Sequence, residues 1–520
     1  MPKYDGTRNS RHYVDHFLGI PFAQPPLGDL RLQHPQPLNT TWDGQRNATE
    51  FGYACVGFGE DTEMASVNYT NESCLTLNIH RPAGYHETAS LPIAVWIYGG
   101  GFVAGSAVNP RYNLTFMVDE SRKIGKPIIG VNISYRLGPY GWLYSEDIVN
   151  AGLTNLGLRD QRMALHWIQD NIRGFGGDPT KVIIFGESAG SLSFGALLLP
   201  YKGRDDGLFR AAICESGPPR GLGIGNTKQD ESEALYQNLT ARASCDDAQD
   251  NIACLRFIPA EDFEYLASGK DTDTPTGYVF SKSFSLLYGP QVDGDILVSD
   301  PLEQLQNGEF VKVPFLIGDT SDKGTAFPGF GLNTEQDVVD ILAPMGLNNA
   351  TIQELLDYYP YNNEQDLVIQ GHPGLFNETI VEAMVRHSNH PIFTYRWDTM
   401  FGGIADCYGV IHFSDAPFVF HSVDGTGYPG LLPPYLGQNP FRGMGEAYLD
   451  LADLAIRMWV AFTHDSDPNS YTQSGPVWLQ YSLDNGTQLV FNAYNGTHVE
   501  GVFEKRSAAT HYLMTQFYAP

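Results

Sequence analysis

Lys181-Val-Ile-Ile-Phe-Gly-Glu-Ser-Ala-Gly190 is the stretch on which the reading of this 520-residue chain turns. Val182 to Phe185 are apolar and mostly β-branched, the composition of a strand buried on both faces. Gly186-Glu187-Ser188-Ala189-Gly190 is then a G-x-S-x-G turn, and Ser191 to Leu199 continues as an apolar helix. Strand, turn and helix in that order form the context of a nucleophile elbow. The two glycines remove side chains where strand and helix come together. Ser188 is expected in a strained backbone conformation with a helix N-terminus behind its hydroxyl.

Further out, Leu91 to Tyr98 reads as a second buried strand, and it runs directly into Gly99-Gly100-Gly101-Phe102. Three glycines after a core strand could be a plain flexible turn. Upstream of an elbow they suggest a loop whose N–H groups face the serine, with Gly100 and Gly101 joined by Ala189 as oxyanion donors. Lys126 to Ile133, Ala211 to Cys214, Val313 to Gly318 and Pro391 to Tyr395 read as further strands, and Asn155 to Ile172 as an amphipathic helix. The alternation predicts an α/β fold, a mainly parallel sheet with helices on both faces. Residues 1–520 are expected to form one domain, with a polar, largely helical insertion at about 230–276; no repeat, linker or charge run marks a boundary.

With 42% hydrophobic and 18% charged residues the composition is that of a soluble globular protein. The net charge of −28 argues against nucleic acid and anionic membrane surfaces as partners. No apolar run is long enough to span a bilayer, and the N-terminus lacks a signal-peptide pattern. N-x-S/T acceptors are nevertheless dense, at Asn39, Asn47, Asn68, Asn71, Asn113, Asn238, Asn349, Asn377, Asn485 and Asn495, with Asn132 inside an expected buried strand. That density favours a secreted chain whose leader has been removed. Of six cysteines, Cys55 with Cys74 and Cys245 with Cys254 each bracket a local loop, as disulfides of secreted proteins do. Cys214 reads as a buried thiol and Cys407 is unassigned. No His/Cys cluster suggests a metal, and no cofactor is indicated.

Several segments together resemble the type-B carboxylesterase/lipase group of α/β-hydrolases, which includes cholinesterases and fungal lipases. They are Phe17-Leu-Gly-Ile-Pro-Phe-Ala-Gln-Pro-Pro26, Glu72-Ser-Cys-Leu-Thr-Leu-Asn-Ile79, Tyr98-Gly-Gly-Gly-Phe102, Asn155-Leu-Gly-Leu-Arg-Asp-Gln161, Asn171 to Pro179, Phe185 to Gly190, and Gly409-Val-Ile-His-Phe-Ser-Asp-Ala-Pro-Phe-Val-Phe420. They occur in family order and cover essentially the whole chain. Tyr98, in place of the histidine common before the glycines, looks more like fungal members. The resemblance implies the α/β-hydrolase fold and serine-dependent hydrolysis of carboxylic esters. It assigns Ser188 as nucleophile, His412 as general base and Gly100, Gly101 and Ala189 as oxyanion donors.

One family position departs from the pattern. After the strand ending at Gly318 the family places an acid that orients the histidine, and here Asp319-Thr-Ser-Asp-Lys-Gly-Thr-Ala-Phe327 puts Lys323 in that slot. A cation there disfavours the imidazolium that catalysis must form. Asp322 is the candidate substitute acid, with Asp319, Glu215 and Asp415 as others. The alternatives to hydrolysis are a secondary-metabolism enzyme performing acyl transfer or cyclisation, and a catalytically silent binding protein. The Cys55–Cys74 loop holds Phe58 and Tyr69 but no tryptophan, which argues against choline esters. Phe102, Phe327, Phe330, Phe413, Phe418 and Phe420 flank the site, and any that line it would favour a small-molecule ester with an apolar or aromatic part. Oligomeric state is not readable from the sequence.

Overall fold

The computed structural model describes residues 4–41, 43–57, 69–217, 229–268, 288–326, 334–343, 348–358, 374–404, 408–428, 439–471, 475–484, 486–501 and 512. Its strands in chain order are β1 (Tyr4–Asp5), β2 (Thr7–Asn9), β3 (Val14–Pro21), β4 (Arg46–Asn47), β5 (Thr76–Pro82), β6 (Leu91–Ile97), β7 (Ile129–Ile133), β8 (Gly177–Glu187), β9 (Ala211–Glu215), β10 (Phe315–Thr320), β11 (Ile392–Trp397), β12 (Thr487–Phe491) and β13 (His498–Gly501). β1 pairs with β4 alone, and the other strands form one sheet of 11 in the order β13-β12-β11-β10-β9-β8-β6-β7-β5-β3-β2. From β7 across to β12 every ladder is parallel, and antiparallel pairs close both margins. This is the mainly parallel sheet expected, and it places β8 near the middle.

The parallel centre needs cover on both faces, so its strands carry apolar residues in unbroken runs. All of Leu91–Ile97 and all of Ile129–Ile133 are buried. The cover includes α1 (Thr115–Lys123), α2 (Leu156–Asn171), α3 (Ala189–Leu198) and α4 (Glu446–Asp465). α3 is buried at every position, so it is a core helix, not an amphipathic one. The region from 229 to 268 carries three helices, Gln229–Arg242, Asn251–Phe257 and Ala260–Ser268; residues 269–276 of the expected insertion lie outside the described residues.

Several motif residues serve the fold rather than the chemistry. Arg136 makes a bidentate contact to Asp160 at 2.8 Å through both Nε and Nη2, with both side chains buried. Arg31 does the same to Glu72 at 2.8 and 2.6 Å. Buried ions must be paired and multiply hydrogen-bonded to be tolerated; the first pair ties the segment after β7 to α2, and the second joins the segments around residues 31 and 72. Disulfides join Cys55 to Cys74 and Cys245 to Cys254, and Cys214 is a buried free thiol. Cys407 lies outside the described residues.

Candidate active site

Ser188 connects β8 to α3 with φ 57° and ψ −125°, a backbone conformation that costs an L-residue strain and that surrounding structure must enforce. Close packing supplies the enforcement. A Cβ on Gly190 would lie 2.0 Å from the Ile97 carbonyl oxygen, and one on Gly186 would lie 2.3 Å from the same atom. Only glycine lets β8 and α3 approach β6 this closely. From the other side, Ser188 N–H donates to the Glu215 carbonyl at 2.9 Å, and Ser191 Oγ donates to the Gly217 carbonyl.

The tri-glycine loop stands directly against the serine. A Cβ on Gly99 would fall 2.9 Å from Ser188 Cβ. Gly100 and Gly101 take φ of 101° and 63°, the left-handed region open to glycine, and the Gly100 carbonyl accepts from Val103 and Ala104 N–H. Tyr98 anchors the loop's start. Its hydroxyl donates to the Tyr135 carbonyl at 2.9 Å while Tyr135 donates back to the Tyr98 carbonyl at 2.8 Å, with the rings stacked. Among the described residues the N–H groups of Gly100, Gly101 and Ala189 have no backbone acceptor. Ala189 opens α3, where N–H groups lack intrahelical partners and the helix dipole favours negative charge.

His412 reaches the elbow from the loop after β11. Its Nε2 lies 3.0 Å from Oε1 of Glu187, the residue preceding Ser188. Both side chains are nearly sealed from solvent, with exposures of 11% and 3%. Burial first, and the Lys323 ammonium second, hold the His412 imidazole well below its ordinary pKa. Glu187 is not among the acids the sequence points to, which are Asp322, Asp319, Glu215 and Asp415. Its adjacency to Ser188 was the available signal.

Lys323 does not swing out to solvent. Its Nζ donates to the Ser216 carbonyl at 2.7 Å and to Asp319 Oδ1 at 2.9 Å, so Asp319 is paired with the lysine. Asp322 holds the histidine loop by its backbone: Oδ2 accepts from Val410 N–H at 2.7 Å, and its own N–H donates to the Val410 carbonyl at 2.9 Å. Gly409, at φ 62°, is needed there, because a Cβ would lie 2.2 Å from that same Oδ2. Glu215 accepts from Trp459 Nε1 at 2.6 Å and Asp415 from the Tyr395 hydroxyl at 2.7 Å, both fully buried.

Of the six phenylalanines, Phe102, Phe418 and Phe420 are core residues and Phe413 is half-buried; Phe327 and Phe330 lie outside the described residues, as does Phe58. Tyr69 is exposed.

A strained serine between a central parallel strand and a buried helix, set against a glycine loop and with a histidine in contact with the preceding residue, has the arrangement of the α/β-hydrolase class. Residues 3–509 match the carboxylesterase family, and the chain belongs to that family. "Secreted lipase 1" of Botryotinia fuckeliana is 33% identical over 525 residues, spanning 92% of this chain and 85% of its own length. The para-nitrobenzyl esterase of Bacillus subtilis is 30% identical over 487 residues, spanning 92% and 91%. Among solved structures, Aspergillus niger EstA superposes with a TM-score of 0.81 at 27% identity, over 99% of this chain and 96% of that one.

Proposed function

We propose that this protein is a serine carboxylic-ester hydrolase in which Ser188 is the nucleophile and His412 the general base. The reading rests above all on the 3.0 Å contact of His412 with Glu187, which brings the histidine loop against the elbow serine. His412 takes the Ser188 proton as Oγ attacks the ester carbonyl. The N–H groups of Gly100, Gly101 and Ala189 receive the developing oxyanion. His412 then protonates the leaving alcohol, and water, deprotonated by the same imidazole, releases the acyl group.

Glu187 supplies the negative charge that the family's acid would supply. The imidazolium formed during attack sits beside its carboxylate, which opposes the Lys323 ammonium that is itself paired with Asp319 at 2.9 Å. Asp322, the substitute acid expected from sequence, instead positions the 409–412 loop through its contacts with Val410. The substrate is a small-molecule ester; an apolar or aromatic part would follow only from phenylalanines lining the site, and of those described Phe413 is the half-buried one, its ring against Tyr112 and Arg111.

Secretion is proposed on two disulfides and a set of exposed acceptors, Asn39, Asn47, Asn71, Asn238, Asn349 and Asn495. Asn113 is half-buried; Asn68, Asn485 and the Asn377 side chain lie outside the described residues. Asn132 is not an acceptor in the folded chain, because it is buried and its Nδ2 donates to the Tyr112 carbonyl. Among the described residues no helix is long and apolar enough to cross a membrane.

The test is steady-state hydrolysis of p-nitrophenyl butyrate by the wild-type chain, Ser188→Ala and Lys323→Glu. Hydrolysis by the wild type, reduced at least about 10³-fold in Ser188→Ala, supports the reading. Activity confined to Lys323→Glu overturns it and favours non-hydrolytic acyl transfer, the alternative for which Lys323 beside His412 speaks.

A further inference from the structure

The two buried arginine pairs meet at one small cavity, between the segment after β7 and the Cys55–Cys74 disulfide. Arg31, Glu72, Arg136 and Tyr140 line it together with the disulfide, and its room for a water centre is about 10 Å³. That is close to the least space one water needs, and too little for a larger ligand.

Arg136 uses Nε and Nη2 on Asp160, which also accepts from the Arg136 N–H. The remaining Nη1 is buried and has no hydrogen-bond partner among the described residues, and the Tyr140 hydroxyl is in the same condition. Both residues are more than nine-tenths buried, at 3% and 4% exposure. Burial, and after it the Glu72 and Glu264 carboxylates, hold the Tyr140 phenol well above its ordinary pKa, so it keeps its proton and remains a donor.

Two donors left unpaired this deep are costly, and one shared acceptor relieves both. A water oxygen offers two lone pairs, one to Arg136 Nη1–H and one to the Tyr140 O–H. Its own hydrogens need an acceptor in turn, and Glu72 supplies the carboxylate of the lining. Each Glu72 oxygen accepts one bond from Arg31 and has a second lone pair to offer. Three polar partners are the usual complement of a buried water.

The same node carries the insertion. Arg31 Nη1 donates to the Ile258 carbonyl at 2.5 Å and to the Leu255 carbonyl at 3.3 Å, at the end of helix Asn251–Phe257. Phe263, on helix Ala260–Ser268, lies under the Arg31 guanidinium at 5.1 Å and meets the Tyr140 ring edge-on at 4.9 Å.

We propose that one ordered water, held by Arg136 Nη1, the Tyr140 hydroxyl and Glu72, is an integral part of this fold and joins the Arg136–Asp160 pair to the Arg31–Glu72 pair beneath the insertion. None of these residues belongs to the Ser188–His412 machinery, so the inference is independent of the hydrolase reading.

Tyr140→Phe tests it by the sign of its effect, since the ring keeps its contact with Phe263 and only the hydroxyl is lost. With a water on that hydroxyl, the variant loses a hydrogen bond, and its melting temperature should fall by about 1–2 °C for a chain this long. A hydroxyl buried without a partner would be a liability, and removing it would raise the melting temperature. A crystal structure of the full chain at about 1.5 Å resolution gives the direct reading: one spherical density peak within about 2.7–3.2 Å of Arg136 Nη1, Tyr140 Oη and a Glu72 oxygen. A wild-type cavity without that peak, or a melting temperature unchanged or raised in Tyr140→Phe, overturns the proposal.

Discussion

Oε1 of Glu187 lies 3.0 Å from Nε2 of His412, so the residue before the elbow serine also sets a carboxyl group against the histidine. The consequence is that Glu187 should matter to rate more than to binding. Glu187→Gln keeps the size and removes the charge that stabilises the imidazolium. We expect kcat to fall by about 10²–10⁴-fold, the range set by removing the acid of a serine triad, with KM changed only a few-fold. Stopped assays with p-nitrophenyl butyrate measure both constants. A kcat within threefold of wild type would show that Glu187 is a packing residue only.

Lys323 acts on the same imidazole with the opposite sign. Burial and the lysine charge together lower the His412 pKa, and a lowered pKa moves the acid limb of kcat/KM to lower pH. Replacing the lysine by a neutral residue favours the imidazolium, raises the pKa and moves that limb up. Lys323→Gln, which retains a donor for the Ser216 carbonyl, is therefore expected to lose activity on acidification earlier than wild type. The profile of kcat/KM between pH 4 and 8 checks the direction. A limb that stays in place, or moves down, removes Lys323 from the electrostatics of the site.

The elements that could be read in the sequence are those whose patterns are local. Val182 to Phe185 are apolar because β8 is covered on both faces, and the glycines at 186 and 190 are demanded by β6 a few ångströms away. Gly99 to Gly101 signalled a special loop for the same reason. What escaped reading depends on residues far apart in sequence. Nothing near His412 points to Glu187, and nothing near Lys323 points to the Ser216 carbonyl it holds. The Asp322 contact to Val410 N–H forms only once two loops meet, so a carboxylate that looked available for the imidazole is engaged with the backbone instead. β12 and β13 at the sheet margin were equally hidden, since marginal strands need no continuous apolar run.

The two disulfides offer a comparison of loop closure. Cys55–Cys74 spans a separation of 19 residues and Cys245–Cys254 one of 9. If cross-links act by restricting the unfolded chain, their contributions are about 3.2 and 2.6 kcal/mol. Paired Cys→Ala replacements should each lower stability by that order, the first slightly more than the second. Urea midpoints at fixed slope measure the difference. A loss below about 0.5 kcal/mol for either pair would mean that native packing already restrains that loop.

Glu215 and Asp415 are fully buried acids at the sheet's active end, each with one oxygen bonded, to Trp459 Nε1 and to the Tyr395 hydroxyl respectively. Burial and the neighbouring Asp415 push the Glu215 carboxyl well above its ordinary value, and burial raises Asp415 as well. A raised acid holds its proton longer in the folded than in the unfolded chain. Below the unfolded value both states are protonated and nothing is lost; as pH rises past it the unfolded state ionises first, and stability falls. Glu215→Gln keeps an acceptor for Trp459 and removes that liability. The variant should match wild type in melting temperature near pH 4 and exceed it at pH 8, by on the order of 1–2 °C for a chain this long. Melting curves across that interval decide the matter. A gap that is constant with pH would assign the effect to packing, and a gap that closes toward pH 8 would mean that ionised Glu215 is stabilised in the fold.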